Sequence, residues 1–335
     1  MAQATPFGMK DAGPSHVSSR GKLLVRSLPL VLVAVLAGLP LLDPGPEIIR
    51  LLFITLVWIT ASVAWNLIGG FGGQVSFGFA VFYGLGAYTA ALALNRGINT
   101  WMAFLMGGMV ALLASLLVGL PTFRLRGPYF AIATIGASEA VRVIMTNVSL
   151  TGGASGYRIM ETGVFHQLEH FYSALALAVV SVAACILVRR SKLGLALMAI
   201  REDEDAASDL GVNPYRVKLV AHSLAAALTG AAGGVYAHYA AFIHPQGVFA
   251  FSISVAILLM PIIGGVGTIW GPVIGAVVYG VVHEEVVASF PQLHLLLYGS
   301  LLILIVFFEP RGIMGLLDRG FHALQLRRRL SGSHP

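Results

Sequence analysis

Long apolar runs, separated by short breaks of Gly, Pro or charged residues, follow one another along most of this chain. A helix needs about 20 mostly apolar residues to cross the hydrocarbon core of a bilayer, and many of these runs reach that length. The two-residue alternation that marks a transmembrane β-strand is absent. Because an unpaired backbone amide is too costly in lipid, the runs predict an all-α, polytopic transmembrane helical bundle.

The composition excludes a water-soluble globular protein. Hydrophobic residues make up 57% of the 335 residues, charged residues only 11%, and the mean hydropathy is +0.84. These values are typical of membrane proteins. The basic residues behind the net charge of +6 are scattered over loops, so no nucleic-acid partner is expected. The single cysteine, Cys185, excludes an intramolecular disulfide.

The apolar runs predict about ten spans and divide the chain into three parts. Residues 1–22 are rich in Ser, Gly and Pro and predict a disordered tail; a cleaved signal peptide is the competing interpretation, but no clear small-residue cleavage site follows. Residues 23–317 form the transmembrane domain, and residues 318–335 form a basic tail. The predicted spans lie near 23–42, 48–68, 75–94, 101–120, 128–148, 171–188, 219–241, 250–266, 270–289 and 294–308.

The distribution of Lys and Arg predicts the orientation of these spans. Seventeen of the 21 basic residues fall on one side if the N-terminus is cytoplasmic; only Arg50, Arg96, Arg142 and Arg158 fall on the other side. Cytoplasmic loops carry an excess of Lys and Arg. The pattern therefore predicts a multi-pass inner-membrane protein with both termini in the cytoplasm.

Motifs for nucleotide hydrolysis and metal catalysis are missing from the sequence. No G-x-x-x-x-G-K-[ST] loop occurs, so any ATP must be bound by another subunit. The sequence His283-Glu284-Glu285 resembles the start of a zinc-protease motif, but Val287 stands where the second histidine is required. His222 and His238 are expected to be hydrogen-bonded polar residues of the bundle. We therefore expect no metal, no cofactor and no catalytic residues.

Glu139 and Arg142 form the most conspicuous polar pair within an apolar span. Residues three apart share one face of a helix, so the two side chains can form an ion pair. Charges within the membrane usually face the bundle interior or a water-filled cavity. Two interpretations stay open: a polar lining of a translocation route, or a self-neutralised pair near the outer interface.

Glycine is concentrated in two places. The run from Gly69 to Ser76 should unwind, because each glycine costs about 1 kcal/mol in a helix relative to Ala. Two interpretations of this run are open. Residues Gly72, Gly73, Gln74 and Ser76 form either a gate or part of the lining of the translocation route, or the run is a simple turn at the cytoplasmic surface. Gly267, Gly271 and Gly275 recur every four residues and predict close helix packing.

The loop at residues 189–218 is the most charged segment of the chain. Ala199 to Leu210 is good helix-forming sequence, and Gly211 followed by Asn213-Pro214 provides a stop. The loop therefore predicts a short helix on the cytoplasmic face. Its small apolar side chains suit docking to a partner, and an amphipathic connector is the alternative.

Five segments together resemble the LivM-type permease of branched-chain amino acid ABC importers. The resemblance covers roughly residues 50–317 in order. The segments are GGQVSFGFAVFYGLGAYTAAL (72–92), LRGPYFAIATIGASEAVRVIMTN (125–147) with TGG (151–153), AIREDEDAASDLGVNPYRVKLVAHSLAAALTGAAGGVYAH (199–238), IGGVGTIWGPVIGA (263–276) and FEPRGIMGLL (308–317). The chain has Asp203 where the family commonly has Asn, and Ser76-Phe77-Gly78-Phe79 where it commonly has Ser-Leu-Gly-His.

The resemblance implies a transport subunit rather than an enzyme, with ATP hydrolysis supplied by partners. The implied partners are a second related permease, two cytoplasmic ATPases and an extracytoplasmic solute-binding protein, besides the bilayer and a small-molecule substrate. It also implies that a helix in the 189–218 loop is received by the ATPase. The coupling positions carried over are Arg201, Glu202, Asp203, Glu204, Ala206, Ala207 and Gly211.

Substrate and energy source have alternatives at this stage. Permeases of this type are associated with hydrophobic amino acids, short amides, urea and aromatic acids. The alternative function is an ion-coupled secondary transporter in which Glu139 carries the coupling proton. An intramembrane enzyme would need an assembled nucleophile, base or metal set, and the sequence offers none.

Overall fold

The computed structural model describes residues 31, 33–42, 44–160 and 167–289, and beyond these only residues 293, 296, 299, 300, 303, 307, 312–316 and 319. Contacts divide the chain into residues 1–44 and 45–335. In the first unit, the described residues include a short apolar helix, α1 (Val33–Leu42), whose end is a 3-10 turn over Leu39–Leu42. The remaining elements belong to the second unit.

Helices dominate the described part of the second unit, which confirms the predicted all-α bundle. Their bounds are α2 (Pro46–Ile68), α3 (Phe79–Leu94), α4 (Thr100–Thr122), α5 (Pro128–Asn147), α6 (Gln167–Arg190), α7 (Lys192–Glu202), α8 (Glu204–Asp209), α9 (Pro214–Ala240), α10 (Pro245–Val248), α11 (Phe251–Gly264) and α12 (Gly271–Ser289). Two short strands, β1 (Tyr157–Arg158) and β2 (Phe242–Ile243), pair antiparallel, and 3-10 turns cover Ser149–Thr151 and Gly153–Ser155.

Proline and asparagine set the starts of several long helices. Pro46, Pro128 and Pro214 occupy the first turn of α2, α5 and α9. Proline fits there because its missing N–H would have no helical acceptor in any case. The side chains of Asn99 and Asn213 accept hydrogen bonds from first-turn amides of α4 and α9, at 3.0 and 3.1 Å. Such caps stabilise a helix start by about 1 kcal/mol.

The described residues contain six helical stretches long and apolar enough to cross a membrane. They are Pro46–Ile68, Thr100–Thr122, Pro128–Asn147, Leu168–Arg190, Pro214–Ala240 and Pro245–Gly264. Helices α3 and α12 are shorter apolar helices at two further predicted spans. The predicted spans at 23–42 and 294–308 and the tail at 318–335 lie partly outside the described residues, and the tail at 1–22 lies wholly outside them. The number of ten spans therefore stays a prediction.

Helix α9 lies at the centre of the bundle and packs against α2, α3 and α4. Glycines make this close approach possible. A Cβ atom at Gly86 would collide with the carbonyl of Gly230, and one at Gly233 would collide with the carbonyl of Tyr83. In membranes, where lipid is as apolar as the helix surface, such small-residue contacts bring the helices together.

The predicted glycine stripe divides between two roles. Gly271 and Gly275 bring α12 against α11, because a Cβ atom at either position would meet the carbonyl of Gly265 or Met260. Their predicted packing role is therefore confirmed. For Gly267 the packing prediction was wrong: this residue precedes α12, has a φ of 78°, and faces the guanidinium of Arg201. Because Gly267 lies in a turn with positive φ before α12 begins, it does not share a helical face with Gly271 and Gly275.

The loops assigned to opposite sides by their charge lie at opposite ends of this bundle. At one end, Arg126 between α4 and α5 reaches Asp205 of α8. At the other end, the side chain of Asn95 forms two hydrogen bonds of 2.8 Å. Its Nδ2 donates to the carbonyl of Arg158, and its Oδ1 accepts from the backbone N–H of Met160. Asn95 thereby holds the strand segment that pairs with β2.

Candidate coupling segment and translocation route

The charged loop contains two helices where one was predicted over Ala199–Leu210. Helix α7 follows Ser191, which caps it, and ends at Glu202; α8 begins at Glu204. Between them Asp203 is extended, with φ −156° and ψ 115°, and its carboxylate accepts hydrogen bonds from the amides of Asp205 and Ala206 at 2.9 Å. The single-helix prediction was wrong because Asp competes for backbone amides and favours helix starts. We call residues 191–211 the coupling segment.

Arg201 attaches α7 to the glycine run. Its Nη1 donates a 2.7 Å hydrogen bond to the carbonyl of Gly70. Gly72 and Gly73 lie directly beneath α7: added Cβ atoms would stand 3.1 Å from a methyl of Leu197 and 3.0 Å from Cγ of Arg201. The glycines thus let the backbone of the run approach α7 closely. Two groups of residues predicted separately, Arg201 and the glycine run, are in direct contact.

A second turn closes over Arg201 from the start of α12. The N–H of Gly267 donates to Oδ1 of Asn66 at 2.9 Å, and Nδ2 of Asn66 donates to the carbonyl of Thr268 at 2.8 Å. Asn66 is fully buried near the end of α2, so these bonds are shielded from water. A Cβ atom at Gly267 would collide with the Arg201 guanidinium. Arg201 therefore lies between two glycine turns tied together by Asn66.

Two ion pairs attach α8 to the bundle. Nζ of Lys218, in the first turns of α9, donates to Oε2 of Glu204 at 2.6 Å, and the Lys218 side chain is only 1% exposed. Arg126 forms two hydrogen bonds with the Asp205 carboxylate, at 2.9 and 3.2 Å. These bonds, followed by the charges of Asp205 and Glu204, raise the pKa of the Arg126 guanidinium above its ordinary value. The Lys218 pair is buried, whereas the Arg126 pair is exposed and screened by solvent.

The predicted coupling positions divide into an inner and an outer set. Ala207 is buried and Glu204 is half-buried, so with the Arg201 guanidinium they face the bundle. The outer set is exposed and comprises Glu202, Asp203, Ala206 and Gly211, together with Leu210, whose side chain is 85% exposed. One side of the coupling segment is therefore held by the bundle while the other remains available for contact.

The glycine run is unwound, as predicted, between the end of α2 and the start of α3. Gly72 is buried, Gly73 exposed and Gln74 intermediate. Ser76 is buried, and its carbonyl accepts a 2.9 Å hydrogen bond from Nε1 of Trp65. The run is thus a packed turn at the end of the bundle that carries the coupling segment.

The Glu139–Arg142 ion pair forms on α5. Nε of Arg142 donates to Oε2 of Glu139 at 2.9 Å, and a second bond joins Nη2 to Oε1. The two side chains are 55% and 29% exposed. Only 22% of the most apolar stretch of α5 is buried in this chain, against 72% for α9. The pair lies on a helix that this chain leaves largely uncovered.

A cavity of about 200 Å³ opens between five helices and was missed by the sequence analysis. Because its residues come from distant parts of the chain, no local spacing could reveal it; tyrosines within apolar spans were the only signal. Its lining residues are Trp58, Tyr83, Tyr236, Ser252, Ile253, Ala256, Tyr279 and His283. We call it the aromatic cavity.

Comparison with known proteins identifies the family. A family model described as "Branched-chain amino acid transport system / permease component" matches residues 47–306. The chain belongs to this family. It is therefore a multi-pass membrane transport permease, which confirms the transport prediction and gives no support to the ion-coupled alternative.

Curated relatives of the permease include permease proteins of several transport systems. It is 31% identical over 293 residues to the high-affinity branched-chain amino acid transport system permease protein LivM of Escherichia coli, covering 78% of this chain and 68% of the relative. It is 25% identical over 278 residues to LivH of the same kind of system in Salmonella typhimurium, covering 76% and 90%. The autoinducer 2 import system permease protein LsrC of Yersinia enterocolitica is 27% identical over 203 residues, covering 58% and 55%. No solved structure matches the permease significantly.

Within the described part of the chain, no group of three or more His, Cys, Asp or Glu residues is placed to hold a metal ion. His222 is buried among the rings of Phe79, Phe82 and Phe123, with centroid distances of 5.1 to 5.8 Å. Its Nδ1 has no hydrogen-bond partner, so the expectation of a hydrogen-bonded His222 was wrong. Aromatic edge contacts hold the ring instead. His238 stacks edge-on against His170 at 4.5 Å.

Proposed function

We propose that this permease is the membrane-spanning subunit of an ABC importer that moves branched-chain or other hydrophobic amino acids, or related small solutes. It works by alternating access in the bacterial inner membrane. Two separate cytoplasmic ATPases supply the energy, since the chain has no phosphate-binding loop. An extracytoplasmic binding protein delivers the solute. Relatives named both LivM and LivH support pairing with a second, related permease.

The attachment of the coupling segment carries this proposal. Arg201 joins α7 to the glycine run, and Glu204 and Asp205 join α8 to Lys218 and Arg126. An ATPase that binds the exposed side of the coupling segment would move all three attachments together. That side comprises Glu202, Asp203, Ala206, Leu210 and Gly211. A ligand or partner shifts a conformational equilibrium only by as much as it prefers one state. The buried attachments transmit that preference into the helices.

The uncovered face of α5 supports the proposed route. Exposed charges within hydrocarbon are expensive, so Glu139 and Arg142 require either water or protein against them. The second permease, packed along α5, supplies both by enclosing a polar route between the subunits. We propose that Gly72, Gly73, Gln74 and Ser76 act at the cytoplasmic end of this route, where they contact or adjoin the coupling segment.

The orientation of the permease in the membrane is inferred from its basic loops. Loops at residues 189–218 and around Arg126 meet at one end of the bundle and carry much of the basic excess. We propose that this end is cytoplasmic. The tails at 1–22 and 318–335 then lie in the cytoplasm, and residues 23–317 form the permease domain.

The docking face is tested by Ala206→Arg in the reconstituted complex of both permeases, the ATPases and the binding protein. A long charged side chain on the exposed face of α8 should reduce ATPase co-purification and ATP-driven uptake about tenfold or more, which corresponds to roughly 1.4 kcal/mol of docking energy. Protein abundance in the membrane should be unchanged. Arg124→Ala is the control, because Arg124 is an exposed residue of the neighbouring loop. Normal uptake and co-purification by Ala206→Arg would disprove this docking face.

A further inference from the structure

The aromatic cavity carries several polar groups although it lies among apolar helices. Trp58 stacks on Tyr83 with centroids 6.3 Å apart and meets Tyr279 edge-on at 6.0 Å. Tyr236 is tilted against Tyr83 at 5.7 Å, and the hydroxyl of Tyr279 lies 3.3 Å from Nδ1 of His283. Rings line the walls, and their hydroxyl, indole and imidazole groups supply several hydrogen-bonding positions.

Two of the cavity's tyrosines lack hydrogen-bond partners. Tyr83 is only 2% exposed, yet its hydroxyl bonds to no residue in the described part of the chain, and the same holds for Tyr236. Neither hydroxyl is among the buried polar atoms that are closed off without a partner, so both are available to a ligand that enters the cavity. Each hydrogen bond to such a ligand would contribute about 1 kcal/mol.

A second cavity of similar size has almost no polar side chains in its lining, so the polar groups distinguish the aromatic cavity from it. It measures about 210 Å³ and is lined by Trp101, Phe104, Leu105, Ser173, Ala176, Leu177, Val180, Ala231 and Val235. All but one of these side chains are apolar or aromatic, as suits a lipid chain. The aromatic cavity instead combines rings with hydroxyl groups.

The helix break between α10 and α11 adds a preference for negative charge. Phe249 and Ala250 interrupt the span Pro245–Gly264, and Ser252 and Ile253 in the first turn of α11 line the aromatic cavity. The N–H of Ile253 already donates to the carbonyl of Ala250 at 3.0 Å, so only the amides before it in α11 lack acceptors within the helix; the helix dipole is positive at this end. Starts of broken helices bind carboxylates at membrane depth in other transporters.

We infer that the aromatic cavity is a transient binding site for a small zwitterionic solute with an apolar side chain. The carboxylate of the solute lies at the start of α11, next to Ser252. The hydroxyls of Tyr83 and Tyr236 form hydrogen bonds with the zwitterionic end of the solute, and the rings of Trp58 and Tyr279 contact its apolar side chain. Apolar cavities of about 150 Å³ admit benzene, so about 200 Å³ suits a branched-chain amino acid. This inference rests on the proposed import function.

Trp58 provides a direct readout of occupancy. The full-length permease with its partner subunits is placed in nanodiscs without binding protein, and L-leucine is titrated while tryptophan fluorescence is recorded. We expect a saturable change that disappears in Trp58→Phe. L-Glutamate, which carries an additional carboxylate in place of the apolar group, should produce no change.

Tyr83→Phe removes only the unpartnered hydroxyl, and Tyr88→Phe is its matched control. Tyr88 is also a buried α3 tyrosine whose hydroxyl has no partner, but it stacks on Phe249 and does not line the cavity. The midpoint for leucine should rise about fivefold in Tyr83→Phe, as for one lost hydrogen bond, and stay unchanged in Tyr88→Phe.

Three results would overturn the inference: no leucine response in the wild type, an equal response in Trp58→Phe, or equal midpoints in Tyr83→Phe and the wild type. Uptake measured on the same complex separates this failure from failure of the proposed function. ATP-driven leucine uptake without a fluorescence response rejects the cavity site and leaves the importer standing. A complex that imports no amino acid with ATP rejects the importer itself.

Discussion

The Lys218–Glu204 pair offers the sharpest test of how the coupling segment is held. Lys218 is 1% exposed and Glu204 22% exposed, with 2.6 Å between Nζ and Oε2. Removing one partner of a buried ion pair costs about 3–5 kcal/mol when the remaining charge cannot reach water. The two partners differ in this respect, so the two single substitutions should differ in cost.

Glu204→Met leaves the ammonium of Lys218 buried without its carboxylate and should cost about 3 kcal/mol or more. Lys218→Met leaves Glu204, which lies near the surface and can turn toward water, and should cost about 1–2 kcal/mol. The double variant replaces both charges by apolar side chains of similar length and should recover most of the loss. The free energy that holds α8 closed on the bundle should therefore be lowest in Glu204→Met, higher in Lys218→Met, and closest to the wild type in the double variant.

Hydrogen exchange of the amides of residues 203–211 measures this attachment directly, because α8 can open while the bundle stays folded. Each 1.4 kcal/mol raises exchange about tenfold, so Lys218→Met should exchange about ten times faster and Glu204→Met a hundred times or more. Arg126→Gln is the control, since it breaks only the exposed pair with Asp205 and should change exchange little. Equal exchange in all variants and the wild type would refute the claim that the buried pair anchors α8.

Two further predictions concern backbone positions around Arg201. Gly267→Ala should lower both the melting temperature and coupled uptake, because the new methyl group collides with Arg201 and the backbone is strained at a φ of 78°. The control is Gly97→Ala, which has a φ of 72° and open space around it and should show only the backbone strain, about 1–2 kcal/mol. Equal losses of stability in the two variants would contradict the crowding at Arg201. Asp203→Ala should cost the α8 start about 1 kcal/mol and speed its amide exchange, whereas Asp203→Asn should retain the cap; loss of protection by both would contradict a capping role.

Much of the bundle could be predicted from the sequence because its local chemistry agrees with its tertiary structure. Pro214 marks the start of α9, and the glycines at 69–73 interrupt the helix, as their intrinsic preferences require. The break at Asp203 was missed because the surrounding residues favour a helix. An aspartate is identified as a cap only when its carboxylate is seen bonded to the next amides.

Long-range contacts account for the other misses. Arg201 lies in the predicted coupling segment, and its role there stays a prediction; its hydrogen bond to the carbonyl of Gly70, 131 residues earlier in the chain, could not be predicted from local sequence. The aromatic cavity draws on helices from Trp58 to His283, and no sequence periodicity reports such an arrangement.

The most direct test of the account is the energy source for uptake. Proteoliposomes containing this permease, its partner permease and the ATPases, with the binding protein outside, are supplied with radiolabelled leucine. We expect uptake that requires ATP on the ATPase side and persists when ionophores abolish all ion gradients. Uptake that proceeds without ATP and collapses with the ionophores would contradict it and would instead favour coupling through Glu139.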